Sequence, residues 1–263
     1  MKRQMLRVGL VVFIALCGLA VVGFAIEEAA LIEIAESPVI DRIAPSISAA
    51  AGMELAESYL SKTQGELEGL VVDGATLGIR TAARMALSVV YSTKTVVELT
   101  ALATGDIDPA IRAAAARPLQ DFLVEMESAD VLQLAISGAT EEIRLAAADI
   151  YYLKNIVSLK AATLEVTACE GESAELEYMA GKYLGGFYLS FTTLKSQAEV
   201  EALAMWGECV GLRVAGATAL TTYLIRSDLT IEDYELVISG IDADAHPELL
   251  MAYEDALAVA YGR

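Results

Sequence analysis

Four arginines occupy one slot of a recurring pattern. Arg80, Arg112, Arg144 and Arg213 each follow an Ile or Leu and stand two residues before an Ala-Ala or Ala-Gly pair. A guanidinium is always charged and offers a rigid fork of donors that fits carboxylates and carbonyls. The same slot in successive units therefore predicts a structural ladder, with each arginine satisfying loop carbonyls or an acid between units. The alternative is a row that binds anions. Asp108 lies four residues before Arg112 and Glu141 three before Arg144, spacings that suit pairing on one helix.

Other side chains with chemical potential are sparse. Asp106 with Asp108, Glu170 with Glu172 and Asp242 with Asp244 fall between apolar segments. They fit helix capping and dipole compensation; in a secreted chain they could also hold calcium. No twelve-residue loop with a full ligand series surrounds them. Cys169 and Cys209 sit at the ends of neighbouring units, where an oxidising compartment permits a disulfide; two separate buried thiols are the alternative. His246 is the only histidine and precedes Pro247, which suits a cap or a surface position better than a catalytic dyad. Nucleophile elbows, CxxC pairs and phosphate-binding glycine loops are missing, so no catalytic, cofactor or metal residue is assigned. Aromatics gather at Tyr178, Tyr183, Phe187, Tyr188, Phe191 and Trp206. Core packing is the favoured reading of this cluster; the alternative is a contact patch at Tyr188 and Trp206, because exposed Tyr and Trp anchor interfaces.

The elements that must position these groups follow from the pattern itself. Ile79-Arg80-Thr81-Ala82-Ala83 returns at Ile111 and Ile143, with looser copies at Ile47, Leu176, Leu212 and Leu249; the steps are 32, 32, 32, 33, 36 and 37 residues. A fixed period in this range marks a stacked-repeat protein. From each start the apolar residues run i, i+3, i+4, i+7, i+8, one face of an α-helix. Ile79 leads to Ala82, Ala83, Ala86 and Leu87, and Leu176 to Met179, Ala180, Tyr183 and Leu184. A second, shorter helix is expected in each interval, over 95–104, 129–137, 159–168, 198–207 and 231–239. Gly105, Gly138, Gly171 and Gly240 follow four of these, where a residue tolerant of positive φ would end a helix. Asp108, Thr140, Ser173 and Asp244 are the expected N-caps of the longer helices. Gly181 and Gly185 lie inside a long helix and predict close packing of helix against helix.

This layout resembles the HEAT-repeat family, including its short bacterial branch. The resemblance covers roughly residues 40–263 and rests on the cores at 79–83, 111–115 and 143–147 and on Pro118 within a long helix. Glu177 and Leu250 replace the arginine in the copies at Leu176 and Leu249. The resemblance implies an all-α solenoid of about six to seven stacked antiparallel helix pairs, and a scaffold role in protein binding.

Residues 1–25 differ in composition. Lys2, Arg3 and Arg7 precede an uncharged apolar run from Val8 to Ala25, and Gly23-Phe24-Ala25 offers a cleavage site. A signal peptide or an N-terminal anchor is expected here, ahead of a repeat domain over 26–263. Leu16 before Cys17 is too bulky for lipidation. Loss of the three basic residues takes the net charge from −19 to −22. Such acidity excludes a nucleic-acid footprint and disfavours anionic lipid, so membrane contact is expected only through the N-terminal segment. The expectation is a non-enzymatic, extracytoplasmic scaffold with a protein partner. A cell-envelope spacer and, behind it, a hydrolase using acidic residues are the alternatives.

Overall fold

A computed structural model describes residues 28–43, 45–105, 107–190, 193–227 and 229–261. The N-terminal segment 1–25, Asp106 and Phe191 lie outside these. Among the described residues the chain is all-helical, with no strand. Its helices are α1 (Glu28–Glu36), α2 (Pro38–Ile43), α3 (Pro45–Glu54), α4 (Ala56–Tyr59), α5 (Gln64–Asp73), α6 (Leu77–Tyr91), α7 (Val96–Thr104), α8 (Pro109–Glu125), α9 (Ser128–Ser137), α10 (Glu141–Asn155), α11 (Ala161–Glu170), α12 (Ala174–Tyr188), α13 (Gln197–Trp206), α14 (Val210–Ile225), α15 (Ile231–Gly240) and α16 (Pro247–Tyr261). The motif helices are α3, α6, α8, α10, α12, α14 and α16, and a shorter helix precedes each.

Each shorter helix packs on the motif helix that follows it. The motif helices also pack on one another in order, α3 on α6, α6 on α8, and so on to α14 on α16. The last of them, α16, lies against α3 as well. Small residues make this motif layer dense. Ala82, Ala83, Ala115, Ala147 and Ala215 are fully buried. At two crossings the backbones nearly touch: a Cβ on Gly52 would fall 2.1 Å from the Gly78 carbonyl oxygen, and one on Gly181 would fall 2.2 Å from that of Gly211. Gly185 is equally confined, 2.7 Å from Thr218. The core continues through Leu87, Leu99, Leu164, Leu184 and Leu220, all fully buried.

Four of the shorter helices start on capping boxes. Thr63 with Glu66, Thr95 with Glu98, Ser196 with Glu199 and Thr230 with Asp233 each exchange side-chain and backbone hydrogen bonds. These bonds hold the four exposed carboxyls below their ordinary range.

The helix-ending glycines differ from expectation. Gly105, Gly138 and Gly171 have φ of −69°, −55° and −65°, and no described glycine has positive φ. The chain leaves the helix in an extended conformation and folds back tightly. A Cβ would lie 2.6 Å from the Leu134 oxygen at Gly138 and 2.8 Å from the Thr167 oxygen at Gly171. Close approach, not handedness, is what requires glycine there. Gly240 closes α15 from within, in open space.

Candidate functional site

Counting from the first residue of each motif places three rows on successive motif helices. Six residues on stand Met53, Met85 and Arg117; ten residues on, Glu57, Val89 and Asp121; thirteen on, Leu60 and Ser92. All eight line one cavity of about 660 Å³, whose floor is α6 and whose walls are α3–α4 and α8. Positions i, i+4 and i+7 of a helix share a face, so the 32-residue period turns three helices the same way around one groove.

The rows continue beyond the cavity. Val124 and Ile156 stand at the thirteenth position, Leu153 and Val259 at the tenth. Their exposures of 41, 45, 50 and 39% match the 40% of Leu60 and 55% of Val89. Apolar side chains left open to water therefore recur at fixed register on the motif helices. The motif helices line this cavity. The physical reason is packing: motif helices touch their neighbours in series, and three of them turn the same face to one groove. The shorter helices also expose apolar residues, Val97, Val166 and Leu236 among them.

The sixth-position row turns polar further along: Arg117, Asp149, Lys182, Thr218, Asp255. Asp149 accepts from Gln120 Nε2 at 3.2 Å and from the Tyr183 hydroxyl at 3.1 Å, joining α8, α10 and α12. Burial raises the Asp255 carboxyl, and the Lys182 charge partly offsets this. Burial and the Asp149 carboxylate both push the Tyr183 hydroxyl up, so it holds its proton throughout the physiological range. No side chain in this row is arranged as a base beside a nucleophile.

The arginines form a repeated contact between units. Arg112 meets Glu142 at 3.0 Å, Arg144 meets Glu175 at 2.7 Å and Arg213 meets Glu248 at 3.2 Å. Each acid is the residue just before the next motif. The same guanidiniums donate to carbonyls of the preceding turn, those of Ile107, Gly138 and Gly207. Arg80 donates to the Gly74 carbonyl, but Ala110 stands where the other units have glutamate. Asp108 is spent as the α8 N-cap, accepting from the Ala110 N–H at 2.8 Å. Burial draws the Glu142 and Glu175 carboxyls upward. Hydrogen bonds from the arginines and from backbone N–H groups, with the arginine charge, outweigh it and hold both below the ordinary range.

A second ladder runs through the N-caps. The hydroxyls of Thr140 and Ser173 donate to the carbonyls of Ala103 and Ala135, in the shorter helix of the preceding unit, and that of Thr76 donates to the Ala35 carbonyl in α1. Thr76 and Ser173 also accept the N–H of Ile79 and Leu176, each at 3.2 Å. Cys209 holds the equivalent position, with Sγ 3.3 Å from the Ala168 oxygen. It is bonded to Cys169, with the Cα atoms 5.4 Å apart, so its sulfur has no proton to donate. Asp244 does not cap α16. It lies in a turn where Asp242 Oδ1 accepts the N–H of Asp244 and Ala245.

The candidate aromatic patch separates. Tyr188 is 2% exposed, and its hydroxyl donates to Glu165 at 3.2 Å. It fills the core at the end of α12 and cannot anchor a partner. Trp206 is 68% exposed and meets the His246 ring edge-on, with centroids 4.6 Å apart. His246 Nδ1 is buried without a hydrogen-bond partner among the described residues. No described group of three His, Cys, Asp or Glu side chains is placed to hold a metal ion. No described helix is long and apolar enough to cross a membrane.

Three features escaped sequence reasoning. The glutamate before each motif was visible at 142, 175 and 248, yet its partner lies 30–35 residues away in sequence. The capping boxes have a plain Ser/Thr-x-x-Glu/Asp signature at 63, 95, 196 and 230. The cavity rows were present in the 32-residue period, but solvent exposure is not. No protein-family model, curated protein or solved structure matches the chain significantly.

Proposed function

We propose that residues 26–263 form a HEAT-like α-solenoid that acts outside the cytoplasm as a non-enzymatic scaffold for a protein partner. The observation that carries this reading is the recurrence of exposed apolar residues at fixed register on the motif helices, from Leu60 and Val89 to Leu153 and Val259. Isolated exposed apolar residues need no explanation, but residues that recur at the same register line up along one face of the array. Stacked helix pairs with a closely packed motif layer curve toward that layer, which puts these rows on the concave side. The Cys169–Cys209 bond suits an oxidising compartment, as does the signal-like composition of residues 1–25.

A hydrolase is less well supported. Asp108 is taken up as an N-cap, Asp242 within a turn, and Glu142, Glu175 and Glu248 by arginine partners. The scaffold reading is tested by affinity capture from envelope extract, with the full chain as bait. A partner held by the native chain should be lost from a Val89→Glu/Leu153→Glu variant whose circular dichroism is unchanged. Equal capture by both baits would remove the concave rows from the function.

A further inference from the structure

The cavity over α6 has a floor and rims of different chemistry. Met85 and Val89 give an apolar floor, and Met53 and Leu60 extend it up one wall. Glu57 on that wall and Asp121 on the opposite one stand at the same register, on either side of Val89. Neither carboxylate has a hydrogen bond or ion pair among the described residues. Arg117 lies one turn before Asp121 on α8, so the lining carries one net negative charge, in a chain of net charge −19. At about 660 Å³ the space holds a few side chains and falls within the range of about 300–1,000 Å³ usual for ligand pockets.

We infer that this groove seats a peptide segment of the partner in which apolar and basic side chains alternate at short spacing. This rests on the scaffold reading and narrows it. The apolar side chains lie on Val89 and on Met85, whose unbranched thioether adapts to varied shapes. A lysine or arginine between them reaches the Glu57 and Asp121 carboxylates, which lose little by giving up water alone. An acidic segment would meet a lining of net negative charge and is rejected.

The test uses the full chain and labelled ten-residue peptides in fluorescence anisotropy: Leu/Lys, Leu/Glu, Leu/Ser and Lys/Ser in alternation. The Leu/Lys peptide should bind at least about tenfold more tightly than the other three, each tenfold being about 1.4 kcal/mol. A Glu57→Gln/Asp121→Asn variant should lose most of that margin, while Glu170→Gln/Glu208→Gln, acids remote from the groove, should keep it. Equal weakening by both pairs would reduce the binding to overall charge and overturn the inference. So would Leu/Ser or Leu/Glu binding as tightly as Leu/Lys; capture of a partner that depends on Val89 and Leu153 would in that case still stand. Loss of both the peptide preference and the capture would overturn the inference together with the scaffold reading.

Discussion

At the residue scale, the arginine contacts decide how units register on one another. The Arg144 and Glu175 side chains are 28 and 9% exposed, so their pairing is only partly screened. Replacement of Arg112 or Arg144 by alanine strands a half-buried carboxylate and should cost on the order of 1–2 kcal/mol. Urea denaturation would show it as a lower midpoint at constant slope. Arg80→Ala should cost less, since only a carbonyl is lost. Ala110→Glu would supply the missing acid and should gain up to about 1 kcal/mol. An Arg112→Ala variant as stable as the native chain would remove the ladder from the stability of the fold.

The same pairs give stability a pH dependence. Glu142 and Glu175 have folded-state pKa values below the ordinary 4.5. They release protons more readily when folded, so their contribution is fully present above pH 4.5 and is lost as pH falls through the lowered values. Asp255 acts in the opposite sense. Its raised pKa means that ionisation weakens the fold as pH rises above the ordinary aspartate value of 3.8. Thermal melts of native and Glu175→Gln chains between pH 3 and 7 should converge at the acid end. Parallel curves over that range would contradict this assignment.

At the element scale, glycine positions that look alike in sequence separate by what surrounds them. Gly69 lies within α5 with nothing close to its missing side chain. Gly69→Ala should stabilise by roughly 0.5–1 kcal/mol through helix propensity. Gly181→Ala would drive a methyl into the Gly211 backbone and should cost about 1–3 kcal/mol. Chemical denaturation of the two variants should shift in opposite directions. Helices were legible because their signals are local: period 3.6 in the apolar residues, and Gly181 and Gly185 placed for close packing on a neighbour. The role of Gly138 was not, because a glycine required by a carbonyl four residues back looks in sequence like one required by positive φ. Tyr188 was misplaced for a related reason. A tyrosine hydroxyl can satisfy a buried site through a partner such as Glu165, so aromatic type alone does not tell a core residue from an anchor.

At the scale of the whole molecule, the Cys169–Cys209 bond spans 40 residues and joins the end of α11 to the start of α14. Reduction should lower stability by about 2–4 kcal/mol, because the unfolded chain regains the freedom of a long loop. Cys209→Ser should lose that restraint yet recover part of the deficit, since its hydroxyl can donate to the Ala168 carbonyl as Thr140 and Ser173 do to theirs. Unfolding with and without a dithiol reductant separates the two effects. If the serine variant is no more stable than the reduced native chain, the N-cap position at 209 carries no hydrogen-bond role. The pairing of these cysteines lay within reach of the sequence, but their separation in space depended on how far each unit rotates upon the last, which no local pattern encodes.

The seating of α16 on α3 sets a condition on how such a chain can evolve. Open arrays lengthen by copying one module, because each newcomer meets only the one before it. Here the first and final motif helices already share a boundary, so an extra hairpin would have to wedge them apart or tighten every turn between them. Substitution away from this boundary leaves it in place, whereas duplication of a module would disturb it, so the contact itself holds the number of modules.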